Sequence, residues 1–172
     1  MTFDFTFCNF MFGILLDNKS SAAVAAAIRN LKARLLEKDI SFGSLFPVIL
    51  TDNGGEFSDV FAFENDCNGR KESSLFFCDP HTPSQKPRVE KNHTLFRDIV
   101  PSGSSFDDFS QNTVDLIFSH VNGIARKSLN GKSPYDVFSF TFGASVPAAL
   151  GIDFIPPSDV VQSPLLLKSA AD

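Results

Sequence analysis

Two acidic residues stand where divalent-metal chemistry could be done. Asp52 closes the apolar run 45–51 (LFPVILT) and precedes Asn53-Gly54-Gly55, which puts its carboxylate at the C-terminal end of an expected strand. In open α/β sheets that edge is where ligands bind. The same spacing also describes a plain turn in which Gly54 and Gly55 supply positive φ, and from spacing alone the turn asks less. Glu90 lies in QKPRVEKNHTLFR; if this is helical, Glu90, His93, Thr94 and Arg97 share one face through steps of three and four. A lone carboxylate on such a face is more often a solvent-facing ion pair. As a pair, a strand-end Asp and a helix Glu on one side of a sheet could hold Mg²⁺ or Mn²⁺ through oxygen ligands, with water completing the shell. Two such ions about 3.5–4 Å apart can activate a hydroxyl and stabilise the leaving oxygen at a phosphate. That chemistry wants a third ligand. Asp4, on an early strand, and Glu56, if the Gly-Gly turn reverses the chain, are the acids to weigh, and spacing secures neither.

The charge pattern bears on what such a site would act upon. The segment 49–79 carries seven acids against two bases, whereas Lys86, Arg88, Lys91 and Arg97 face only Glu90 within 81–97. Arg126, Lys127 and Lys132 make a second basic cluster. Acidic metal ligands flanked by cations suit phosphodiester chemistry, because lysine and arginine hold the phosphates beside the one that reacts. Ordinary solubilising surface explains the same cations, and on charge alone it is the simpler account. Other signals are weaker. Cys78-x-x-His81 supplies half of a zinc site, and His81, His93 and His120 lack a nucleophile frame. Asn53-Gly54-Gly55 lacks the Gly-Lys-Ser/Thr ending of a phosphate loop.

These residues must be positioned by a chain of 172 residues with net charge −5 and 43% hydrophobic composition. That length suits one domain, or one domain and a short appendage, and the composition argues against disorder. A mildly acidic total excludes a histone-like mode of nucleic-acid binding but leaves room for a local basic face. Cys8, Cys67 and Cys78 read as free thiols, no apolar run reaches membrane-spanning length, and a cytoplasmic location without a membrane partner is expected. Composition alone gives no account of twenty Phe beside one Tyr and no Trp.

Period-two alternation over 3–8 and the apolar run 10–16 predict two strands joined near Cys8-Asn9. Val24, Ile28, Leu31 and Leu35 form one stripe of a helix over 20–38. A strand follows from about Val48, since Pro47 has no ladder donor. Residues 53–69 read as turn-rich, and 75–78 as a short strand. Helices are expected from Arg88 to before Pro101 and from Ser110 to Asn122, then short amphipathic elements to Leu150 and an extended surface tail. Strand, strand, helix, strand favours an α/β layer architecture.

TDNGGEF at 51–57, FFCDPHTPSQKPRVEKNHTLFRDIVPSG at 76–103 and HVNGIARKSLNGKSPYDVF at 120–138 together resemble an insertion-sequence transposase with a retroviral-integrase-like DDE core. The closing LGIDFIPPSDVV at 150–161 is similar to the same proteins, so the resemblance spans nearly the whole chain. It implies a ribonuclease-H-like mixed sheet flanked by helices, with 1–140 as a partial catalytic core and 141–172 as a C-terminal extension. It also implies Mg²⁺- or Mn²⁺-dependent nicking and strand transfer on double-stranded DNA at element ends and target. Asp52 matches the family's second catalytic aspartate and Glu90 its catalytic glutamate. Lys91, Asn92 and Arg97 match the polar side of the catalytic helix, and Gln85 and Lys86 its approach. Arg88, Arg126, Lys127 and Lys132 are the further DNA-contact candidates.

The departures shape the expectation. The chain opens at what resembles the family's second core strand, and Asp4 falls too late to be its first aspartate. Pro87 stands where glycine is expected and Ala125 where proline is. A core lacking its central first strand and one of three ligands is expected to be inactive alone. The alternatives are a non-catalytic fragment that binds or inhibits full-length transposase, in a homo-oligomer or mixed assembly, and a metal-dependent nuclease that cleaves without joining ends.

Overall fold

The computed structural model describes residues 1–78 and 89–169, and the side chains of all of these except 89–93, 168 and 169. In chain order the elements are β1 (Thr2–Phe5), β2 (Phe10–Gly13), α1 (Ser21–Leu36), α2 (Phe42–Leu45), β3 (Val48–Thr51), α3 (Val60–Glu64) and β4 (Ser74–Phe77). There follow α4 (Val89–Ile99), α5 (Gln111–Gly123), α6 (Pro134–Phe142), α7 (Ser145–Ala149) and α8 (Leu165–Ser169). Two compact units result, Met1–Leu15 with Lys86–Asp172, and Leu16–Gln85. The fold is mixed α/β, with a two-stranded sheet in each unit flanked by helices. This differs from the single mixed sheet expected from sequence: among the described residues no strand joins the two pairs.

In the unit that carries both termini, β1 and β2 pair antiparallel with Phe5 opposite Phe10. The turn between them is closed by Cys8 and Asn9 N–H groups donating to the Phe5 carbonyl, and Asn9 takes the left-handed φ of 57° that asparagine tolerates. Helix α5 starts at Ser110, whose side chain accepts from the Thr113 N–H. Gln111, Val114, Phe118 and Asn122 recur at steps of three and four and meet β2. Phe118 and Val114 fill the space that a Cβ on Gly13 would need, so only glycine permits this approach.

The phenylalanines now have a role. Phe10 stacks on Phe138 of α6 with centroids 3.9 Å apart, Phe5 lies 4.7 Å from the same ring, and Phe3 stacks on Phe12 at 4.7 Å. A second cluster joins Ile99 and Val100 to Ile117, Val121 and Leu166. The segment read as a surface tail is extended from Ile152 to Ile155, yet it is packed: Ile152 is fully buried and Leu166 of α8 enters that cluster. Its prolines remove N–H donors without preventing apolar contact.

In the other unit, α1 begins at Ser20, which accepts from the Ala23 N–H, and buries Val24, Ile28, Leu31 and Leu35 as the stripe requires. Strands β3 and β4 are parallel, with Ile49 beside Leu75. The crossover includes α3, capped by Asp59, inside the stretch that the sequence reading left as turns. Lys32 anchors this crossover. Its ammonium donates to the Asn65 and Phe63 carbonyls at 2.7 and 3.0 Å, pairs with Glu72 at 2.9 Å and lies over the Phe42 ring. No helix among the described residues is long and apolar enough to cross a membrane.

Candidate functional site

Strand β3 runs four residues from Val48, because Pro47 has no N–H to give, and it delivers Asp52 exposed just past its C-terminal end. The loop that follows is tied to the tip of β4: the Asn53 side-chain amide donates to the Cys78 carbonyl at 3.1 Å, and the Cys78 N–H donates to Thr51 at 2.7 Å. Beyond Gly54 the backbone makes one 3₁₀ turn over Gly55–Phe57. The Glu56 carboxylate folds back over Gly54, into the space a Cβ there would occupy. Glu56 therefore does turn back along the loop, which the sequence reading had allowed only if the glycines reversed the chain.

Glu90, Lys91 and Asn92 fall in the first turn of α4, and their side chains lie outside the described residues, as do Lys86 and Arg88 altogether. His81, the partner of Cys78 in the half-zinc spacing, lies outside them too. Among the described residues no group of three or more His, Cys, Asp or Glu side chains could hold a metal ion. Asp52 offers the hard carboxylate oxygen that Mg²⁺ or Mn²⁺ prefers, so the type of donor fits while the described set does not complete a shell. Arg97 is exposed in the last turn of α4.

The second basic cluster is one closed loop. The Arg126 N–H donates to the Lys132 carbonyl at 2.9 Å and the Gly131 N–H to the Arg126 carbonyl at 3.0 Å. Asn130 and Gly131 take left-handed φ of 54° and 82°, which fits their residue types. Ser133 then caps α6 in a reciprocal capping box with Asp136, and Pro134 occupies the first turn. The text NGKSPYD is thus a loop closure followed by a helix start. Lys127 and Lys132 point to solvent from this loop. Arg126 instead turns inward. Its guanidinium donates to the Val121 carbonyl at 3.3 Å, and burial lowers its pKa while the nearby Asp4 carboxylate opposes that shift.

Two polar groups of α5 that resemble catalytic types are structural. His120 is buried and its Nδ1 accepts the Val161 N–H at 3.0 Å, burial lowering its pKa. Asn122 is fully buried, accepting the Met11 N–H at 2.9 Å and donating to the Met11 carbonyl at 2.6 Å. Sequence reasoning passed over Phe106 and Phe96, which line a cavity together with Arg97, a residue it had named for DNA contact. The available signal was a large aromatic residue inside the polar run 101–108.

No family model matches the chain, and no solved structure matches it. Among curated proteins it is 38% identical to the transposase for insertion sequence element IS1086 of Cupriavidus metallidurans over 65 residues, which is 38% of this chain and 19% of that protein. It is 28% identical over 138 residues to the putative integrase ORF3 of Spiroplasma virus SpV1-R8A2 B, covering 73% of this chain and 40% of the other. To transposase InsI for insertion sequence element IS30A of Escherichia coli K12 it is 26% identical over 129 residues, covering 72% and 33%. The chain therefore shows family-level similarity to transposases and integrases, and it spans between 19% and 40% of the length of these relatives.

Proposed function

We propose that residues 1–140 form part of a ribonuclease-H-like DNA-transposition core, with 141–172 as its C-terminal extension, and that Asp52 and Glu90 are two of its three acidic metal ligands. The observation that carries this reading is Asp52, exposed at the tip of a parallel strand in a chain similar to transposases and an integrase. The strand order supports it, since an antiparallel pair, a helix and a parallel pair in chain order are compatible with such a core. Mg²⁺ or Mn²⁺ bound there supplies Lewis-acid polarisation of the phosphate and a more acidic attacking hydroxyl. The chain's own contribution is positional. The Asn53 amide fixes the loop that bears Asp52 to the end of β4. Lys86, Arg88, Lys91, Asn92, Arg97, Lys127 and Lys132 hold neighbouring DNA phosphates, and Arg126 supports the loop that carries two of these cations.

With two matched acids rather than three, the chain alone performs no strand transfer in this reading. DNA binding tests the reading first. Titration of a labelled element-end duplex by fluorescence anisotropy should show salt-sensitive binding, and exchanging both Lys127 and Lys132 for Gln should reduce the salt slope by roughly two. Absence of binding at low salt refutes it. A nicking assay with Mg²⁺ or Mn²⁺ tests the catalytic part, and robust cleavage abolished by Asp52→Asn would overturn the inactivity. One observation favours the second reading, a fragment that binds full-length transposase. Among the described residues no strand pairs with the outer edge of β3, and Val48 and Leu50 on one face of that strand are 63% and 47% exposed. Co-purification with a full-length partner, lost on Leu50→Lys, is its test.

A further inference from the structure

A cavity of 290 Å³ lies in the unit formed by Met1–Leu15 and Lys86–Asp172, lined among others by Phe96, Arg97, Gly103, Ser104, Phe106 and Phe118. We propose that it receives a single unpaired nucleobase of bound DNA, an inference that rests on the DNA reading above. The walls are ring faces. Phe96 and Phe106 are nearly parallel, 14° apart, with centroids separated by 6.4 Å. That is the loose end of the range of about 4.5–7 Å over which ring pairs attract, so a flat heterocycle can join the stack after a small displacement. Phe118 backs Phe96 at 5.4 Å and belongs to the core, which makes the inner wall rigid. Phe106 is the outer wall, with Phe109 edge-on to it at 5.1 Å. It is 49% exposed in the run PSGSSFDDF, where solvent gives a phenyl ring no reason to reside.

Charge decides which flat molecule fits. Among the described residues Arg97 is the one charged residue lining the cavity, so the rim favours an anion attached to the stacked group, as the phosphate is attached to a base. Asp107 accepts the Ser105 hydroxyl at 2.6 Å and Asp98 accepts the Gln162 amide at 2.7 Å, which fixes where these two carboxylates point, and neither lines the cavity. Gly103, at φ 89°, bends the loop so that Ser102 and Ser104 also line the cavity, offering hydroxyls that pair with any base edge. The size sits at the lower limit of small-ligand pockets, about 300–1,000 Å³, which suits one base rather than a base pair.

The test compares three labelled duplexes by anisotropy: one intact, one with an unpaired adenine, and one with an abasic nucleotide at the same place. The unpaired adenine should bind at least about fivefold tighter than the abasic duplex, as base–aromatic stacking predicts. Phe106→Leu should bring that ratio close to one, and Phe106→Tyr, which restores a ring, should recover it. Equal binding of the adenine and abasic duplexes, or a preference that survives Phe106→Leu, overturns the pocket while leaving the DNA reading in place. Failure of all three duplexes to bind removes the DNA reading and the pocket with it.

Discussion

Asn122 gives the most direct test of how the terminal unit is held together. Its carboxamide is fully buried and meets the main chain of Met11 as another strand would, with contacts of 2.9 and 2.6 Å. Asn122→Leu keeps the branched shape and removes both hydrogen bonds, leaving the N–H and C=O of a residue that is itself 1% exposed. An orphaned buried group costs about 1–3 kcal/mol, so two cost about 2–6 kcal/mol, and the added apolar burial returns about 1 kcal/mol. A net loss of roughly 1–5 kcal/mol is large against a typical total of about 5–15 kcal/mol. Urea unfolding followed by circular dichroism should show it as a lower midpoint with unchanged slope. Asn122→Asp sharpens the argument. The ionised carboxyl can accept from the Met11 N–H but repels the Met11 carbonyl, so burial and repulsion raise its folded pKa above the unfolded value. The folded chain then binds more protons, and the variant regains stability as pH falls through its folded pKa. A loss under about 0.5 kcal/mol for Asn122→Leu, or an Asp variant that weakens on mild acidification relative to the parent, refutes the reasoning.

Three further outcomes follow from particular groups. Burial lowers the His120 pKa, so between the ordinary imidazole value near 6.5 and the folded pKa the unfolded chain binds more protons and stability is lost as pH is lowered; His120→Gln, which keeps an acceptor for Val161, should remove that part of the slope in urea titrations. Burial pushes the Cys8 thiol up to about 12, whereas Cys67 is exposed, so brief iodoacetamide treatment of the folded chain should label Cys67 and spare Cys8, as mass spectrometry of peptides would show. Equal labelling at both sites contradicts the packing around the β1–β2 turn. Leu50→Lys, which puts a charge on the exposed apolar face of β3, should raise the concentration at which light scattering detects association, and an unchanged threshold would mean that this face is not the adhesive one.

Much of the frame was legible from local signals. The stripe of α1, the start of β3 after Pro47 and the caps of α5 each follow from a few adjacent residues, and the structure places them within two residues of expectation. Helix α3 was hidden because it is only five residues long and sits among turn formers, its one local sign being the Asp59 cap. The candidate site was legible in part. Asp52 is at a strand tip, as its place after an apolar run implied, and Lys127 and Lys132 are exposed. Arg126 shows the limit of reading charge from composition. Adjacent cations looked equivalent in the sequence, but the closed loop turns this one toward Val121 and Asp4, a consequence of tertiary geometry.

The same limit explains why one sheet was expected and two pairs are found. Strand pairing was read from apolar runs, yet what ends a sheet is the fate of its outward N–H and C=O groups. On β2 those groups go to α5: Asn122 takes both from Met11, while Gln111 donates to the Gly13 carbonyl at 2.9 Å and accepts the Leu15 N–H at 2.8 Å. On β4 the outward Leu75 N–H goes to the Glu64 carboxylate at 2.9 Å, the largest of the causes that lower the Glu64 pKa, with Lys71 beside it. Side-chain amides and a carboxylate therefore stopper the far edge of each pair. β3 has no such stopper among the described residues, and one face of it exposes Val48 and Leu50. Polar side chains of α5 and α3 thus close the outer edges of β2 and β4.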